Sequence, residues 1–156
     1  MNHEDFLQCA IDLAVEGVNS GIGGPFGAVI VKDGQIIAEG SNNVTTTNDP
    51  TAHAEVTAIR KACQTLNTYQ LEDCILYTSC EPCPMCLGAI YWARPKAVYF
   101  AAGHQDAAVS GFDDSFIYEE INKDYESRNI PFYQLTLQKT LAPFEAWETY
   151  EQKKEY

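Results

Sequence analysis

The sequence predicts an α/β fold, a mixed sheet with helices on its faces, and three observations carry that prediction. Two β-rich runs, residues 27–32 and 35–40, flank Asp33-Gly34. That dipeptide suits a two-residue hairpin turn and pairs the runs antiparallel. Further along, two short apolar runs, 74–78 and 97–101, lie on either side of a segment opened by Pro84 that reads as helix. A helical crossover between consecutive strands implies a parallel pair, so both kinds of pairing occur in one sheet.

The elements follow in order. Residues 4–20 read as a helix, because Phe6, Leu7, Ala10, Ile11, Ala14 and Val18 fall on one face and Gly21 offers a stop. Ala28 to Val31 and Gln35 to Ala38 form the hairpin. A polar loop spans Ser41 to Asp49. Pro50, with its fixed φ and no N–H to satisfy, opens a helix running to about Leu66. Val56, Ile59, Cys63 and Leu66 make its apolar side, and His53 and Glu55 lie near its start. Cys74–Thr78 is the third strand, Pro84 to about Ala93 a helix, and Ala97–Ala101 the fourth strand. Gly111 to Asn122 reads as a loop leading into a short helix. Ile130 to Leu137 alternates as a fifth strand, and Pro143 to Lys154 as a terminal helix. With no repeat, low-complexity tract or linker, residues 1–156 read as a single domain.

Composition narrows the function. The net charge is −12, with 22 acidic against 10 basic residues. No Lys/Arg run exceeds the pairs Arg60-Lys61 and Lys153-Lys154. A surface that neutralises phosphates is usually basic, so the expectation is no nucleic-acid partner. No apolar run approaches the roughly 20 residues that span a bilayer. Met1-Asn2-His3-Glu4-Asp5 lacks the basic start of a signal peptide, so the expected location is cytoplasmic, away from membranes. Of the six cysteines, Cys9, Cys63 and Cys74 fall in apolar-patterned segments and read as small buried hydrophobes rather than disulfide halves.

Two motifs thirty residues apart carry the chemistry. One is His53-Ala54-Glu55, the other Pro82-Cys83-Pro84-Met85-Cys86. One imidazole and two thiolates are three suitable zinc ligands, and a catalytic zinc site leaves its fourth position to water. The carboxylate two residues from the histidine is then free to move protons. Cys83 and Cys86 share one side of a helix start, where the helix dipole favours thiolates. Two other readings stay open on spacing alone. Cys80 supplies Cys-x-x-Cys-x-x-Cys, so a closed structural site of His53, Cys80, Cys83 and Cys86 is conceivable; so is a redox pair of Cys83 and Cys86, although that leaves His53 and Glu55 unexplained.

With these motifs in place, the chain resembles the cytidine deaminase superfamily over nearly its whole length. The resemblance implies a three-layer α/β/α sandwich with a five-stranded mixed sheet. It also implies one Zn²⁺ on His53, Cys83 and Cys86, Glu55 as proton shuttle, and no role for Cys80 as a ligand. Within the superfamily, Gly23–Gly27, Asn42-Asn43-Val44, Asn48–Thr51 and Gly111–Phe116 resemble the bacterial branch that deaminates guanine, a small purine base. That likeness implies a pocket of Phe26, Asn42, Ala54, Asp114 and the C-terminal Tyr156, with Asp114 also assisting proton transfer. It further implies a homodimer that exchanges C-terminal segments. Plain readings stand beside these: Phe26 as core, Asn42 as a turn residue, and Asp113 and Asp114 as helix N-caps. A deaminase of tRNA adenosine or cytosine is the nearest alternative activity.

Overall fold

The computed structural model describes all 156 residues, which divide into two compact units, Met1–Asp114 and Ser115–Tyr156. In the first unit the elements are α1 (His3–Asn19), β1 (Gly27–Lys32), β2 (Gln35–Ser41), α2 (Val44–Thr47), α3 (Ala54–Leu66), β3 (Cys74–Cys80), α4 (Pro84–Ala93), β4 (Ala97–Ala102) and α5 (His104–Val109). The sheet order is β2-β1-β3-β4. β1 pairs antiparallel with both β2 and β3, and β3 pairs parallel with β4. The mixed sheet and the parallel crossover through α4 are therefore present.

Alternation along the strands sets the layers. Ala28 and Ile30 of β1 and Leu76 of β3 face the side covered by α3 and α4, packing with Ala54, Ala58, Ala62, Ile90 and Ala93. Val29 and Val31, with Tyr77, face the opposite side and meet Phe6 of α1. Residues one apart point to opposite faces of a strand, so β1 is buried on both sides and reads as an unbroken apolar run. The result is three layers, α/β/α. Of the three cysteines expected in the core, Cys74 is fully buried, and Cys9 and Cys63 are partly buried against it.

Local chemistry explains the boundaries. Asn2 caps α1 in a reciprocal box with Asp5, accepting its N–H at 3.0 Å and donating its own to Asp5 Oδ2 at 2.7 Å. Asp33 and Gly34 both take positive φ, as the hairpin turn requires. The helix expected from Pro50 begins instead at Ala54. Asp49 Oδ1 accepts from the Thr51 N–H at 2.8 Å and from its hydroxyl at 2.6 Å, and the His53 N–H donates to the Thr51 carbonyl at 2.8 Å. These turns hold Pro50 to Ala52 out of the helix and leave His53 extended at its cap. Two short helices, α2 and α5, lie where no helix was anticipated.

The second unit contains α6 (Ser115–Ile121), a 3₁₀ turn (Tyr125–Ser127) and α7 (Ala142–Thr149). The expected fifth strand is absent: residues 130–137 pair with no strand, and the sheet has four. Their apolar pattern shifts phase at Phe132-Tyr133, and a strand exists only where a neighbour takes up its N–H and C=O groups. The Arg128 guanidinium lies 5.0 Å from the Tyr125 ring and 4.9 Å from the Phe132 ring. Glu120 ties this unit together, accepting from Asn129 N–H at 2.7 Å and pairing with Lys123. No residue of the unit is fully buried. No helix of the chain is long and apolar enough to cross a membrane.

Candidate metal and active site

Two helix starts meet at the carboxyl end of β3. His53 is the N-cap of α3 and Cys83 the N-cap of α4, with Pro84 next, at the position where proline's fixed φ suits the first turn. Gly40 of β2 lets α3 lie this close: a Cβ there would come within 2.2 Å of the Ala54 carbonyl oxygen. His53 Nδ1 is 3.5 Å from Cys83 Sγ and 3.5 Å from Cys86 Sγ, and all three donor atoms lie within 4.8 Å of one another. Tetrahedral zinc with Zn–S of about 2.3 Å and Zn–N of about 2.0–2.1 Å requires N···S separations of about 3.5 Å. The donor set therefore fits zinc in both chemistry and spacing.

Cys80 is not part of this set. Its thiol is directed at the Gly103 carbonyl, 3.7 Å away, and burial pushes it up to about 11. The closed four-ligand alternative thus loses its fourth donor. Cys83 behaves oppositely. A hydrogen bond with the Cys86 side chain, then His53, holds its thiol down to about 4, and the Cys86 N–H donates to Cys83 Sγ at 3.5 Å. Cys86 is pushed up by that same bond, by burial and by the Glu55 carboxylate. Two thiols and a buried carboxyl crowd one imidazole, and a divalent cation supplies the charge that lets both thiols ionise.

Glu55 stands beside the metal ligands and is 6% exposed. Thr78 Oγ1 donates to its Oε1 at 3.2 Å, and Cys86 Sγ approaches its Oε2 at 3.4 Å. Burial raises its pKa above the ordinary carboxylate range. Thr78, fully buried in β3, was missed from sequence; the signal was a hydroxyl in the middle of an apolar strand. Asp114 also has a raised pKa, from burial first and the Cys83 charge next, and its Oδ1 is buried without a hydrogen-bond partner.

Asn42 and Phe26 lie on a joined frame. The Asn42 N–H donates to the Phe26 carbonyl at 3.0 Å. Asn42 Oδ1 accepts from the Gly24 N–H at 3.2 Å and the Val44 N–H at 3.3 Å, which leaves Nδ2 as the polar group its side chain presents. Gly23 must be glycine, since a Cβ there would meet the Asn42 carbonyl oxygen at 2.0 Å. Ala54 is wholly buried in the core, so a role toward substrate is left to its backbone. Tyr156 belongs to the second unit.

Residues 1–102 match the cytidine and deoxycytidylate deaminase zinc-binding region. Over all 156 residues the chain is 76% identical to guanine deaminase of Bacillus subtilis (strain 168), covering the whole of both. The X-ray structure of guanine deaminase from Bacillus subtilis superposes with a TM-score of 0.99, over 100% of this chain and 99% of that one. The chain belongs to the guanine deaminase family. The tRNA-specific adenosine deaminase of Aquifex aeolicus (strain VF5) is 46% identical over 102 residues, 65% of this chain and 67% of that protein. A solved structure in complex with 2,6-diaminopurine is 34% identical, with a TM-score of 0.67 over 70% of this chain and 61% of its own. Family membership accounts for both motifs, and the three-ligand set fits one zinc ion per chain in a zinc-binding family.

Proposed function

We infer that this chain hydrolyses guanine to xanthine and ammonia. The observation that carries the inference is the joint one of a zinc-compatible His53/Cys83/Cys86 set with a buried Glu55 beside it, in a chain 76% identical throughout to a guanine deaminase. His53, Cys83 and Cys86 would hold the ion, which when bound lowers the pKa of a coordinated water to about 7.

The protein's own groups do the rest. Glu55 takes a proton from water and returns it to the ring nitrogen next to the carbon bearing the amine. Thr78 holds Oε1, so Oε2, on the Cys86 side, is the atom that carries the proton. A raised pKa suits a carboxyl that must both accept and give a proton near neutrality. Hydroxide adds to the carbon as its C=N bond opens, giving a tetrahedral carbon that carries a hydroxyl and the exocyclic amine. Glu55 takes the hydroxyl proton and passes it to the amine, directly or by way of Asp114, so that the C=O bond forms as the C–N bond breaks and ammonia leaves. Asp114, with one buried oxygen unpaired, suits a polar edge of the base. Phe26 offers a ring face, and Asn42 an amide N–H for an acceptor on the base.

We further propose a homodimer exchanging C-terminal segments, which would bring a Tyr156 to each pocket. Supporting it, Ile130, Phe132, Leu135, Leu137 and Phe144 are all more than half exposed within one chain, as is the second unit generally. Sedimentation of the intact protein tests this; a monomer at micromolar concentration would contradict it.

For the reaction, zinc-loaded protein is given guanine, guanosine, adenine, cytosine, cytidine and tRNA in parallel, following ammonia and the ultraviolet spectrum. Guanine alone should yield ammonia, with xanthine in equal amount. Turnover confined to tRNA or cytosine would overturn the substrate assignment and keep the zinc chemistry.

A further inference from the structure

Gly24 sits where three side chains meet. A Cβ built on it would lie 3.5 Å from Phe112 Cζ, 3.5 Å from Phe26 Cδ2 and 3.6 Å from Asn42 Cγ. The Phe112 and Phe26 rings stand perpendicular, 88° apart in plane with centroids 5.0 Å apart. This is a favoured aromatic geometry, in which one ring's positive edge meets the other's negative face. Phe112 is itself anchored: its N–H donates to the Ala107 carbonyl at 3.0 Å, where the chain leaves α5 through Gly111 at φ +93°. It is 45% exposed, so its contribution to the core is limited, and it stands two residues before Asp114.

We propose that Phe112 is a positioning residue for base recognition: its ring fixes the plane of Phe26, and through Gly24 the two rings and the Asn42 amide form one frame. The proposal rests on the reading above, in which Phe26 and Asn42 meet guanine. A perpendicular aromatic pair is worth roughly a factor of two to ten in an equilibrium constant. Its loss should fall on binding, because the ring of Phe112 packs on Phe26 and its N–H is held by Ala107.

Phe112→Leu keeps an apolar side chain and removes the ring, and Phe112→Tyr restores it. The expected result for Phe112→Leu is a KM for guanine about three- to tenfold higher, kcat within about twofold and zinc content unchanged, with Phe112→Tyr returning KM to near wild type. In a cycle with Phe26→Leu, the double variant should be no worse than Phe26→Leu alone. A second measurement needs no substrate: the ¹³C relaxation order parameter of the Phe26 ring should fall in Phe112→Leu and recover in Phe112→Tyr. An unchanged Phe26 order parameter, additive losses in the cycle, or a fall in kcat and zinc content together would overturn the proposal. Failure of wild-type protein to turn over guanine, with the order parameter still falling in Phe112→Leu, would sustain the ring support and overturn the substrate reading instead.

Discussion

Glu55 is where burial, hydrogen bonding and chemistry converge, and its neighbours can be separated by substitution. Glu55→Gln keeps the shape and removes the ionisable group; it should retain about one zinc per chain and lose 10²–10⁴-fold in kcat. Activity near wild type in that variant would remove Glu55 from the proton path. Thr78→Val deletes the hydroxyl that holds Oε1, and the expected cost is about tenfold in kcat at constant zinc content, measured by steady-state kinetics. Cys80→Ser should leave zinc stoichiometry intact, and X-ray absorption of the wild type should count two sulfur ligands, not three. His53, Glu55, Cys83 and Cys86 were legible in the sequence because each motif places its chemistry within three residues. Thr78 and Gly24 were not, since their roles depend on which β3 hydroxyl faces α3 and which loop N–H reaches Asn42, and both are set by tertiary packing.

At the scale of elements, the site depends on how closely helices approach the sheet. Gly40→Ala would place a Cβ 2.2 Å from the Ala54 carbonyl and push α3's start away from β2. The expected cost is about 1–3 kcal/mol, a melting temperature lower by several degrees, and weaker zinc retention. An unchanged melting temperature would show that α3 can shift freely. Glu81, just before Pro82, ties the ligand loop to α5: its Oε2 accepts from the His104 N–H at 3.0 Å and lies 2.8 Å from His104 Nδ1. Glu81 therefore raises the His104 pKa above its usual 6.5. A raised folded value means that this contact stabilises fully below the unfolded pKa of His104, for as long as Glu81 stays ionised, and fades as pH rises through the folded one. The NMR titration midpoint of His104 should lie above 6.5 and drop in Glu81→Gln; equal midpoints would rule the pairing out. The hairpin, α1 and the β3-α4-β4 crossover could be read from turn residues and periodicity. The start of α3 could not, because Asp49 and Thr51 form local turns that compete with the helix Pro50 suggests.

The first unit, Met1–Asp114, is well packed, and the second, Ser115–Tyr156, buries no residue fully. Residues 130–137 are rich in apolar side chains, but pattern alone does not say whether a strand partner exists; here none does, and Ile130, Phe132, Leu135 and Leu137 stay exposed. The strong acidity, net −12, fits a small neutral base better than a polyanion. Zinc belongs to the same scale, because an ion bound only by the folded chain stabilises it by mass action. Chelation should abolish turnover and lower the melting temperature, and zinc should restore both; a melting temperature indifferent to chelation would separate the metal from the fold.

The proposed deamination of guanine turns on Glu55 beside a His53/Cys83/Cys86 zinc site. Its most direct test is the guanine-to-xanthine absorbance change at matched zinc content for wild type and Glu55→Gln. The wild type should give stoichiometric xanthine and ammonia, and the variant a rate lower by at least about a hundredfold. Equal rates in the two proteins, or no xanthine from fully zinc-loaded wild type, would contradict it.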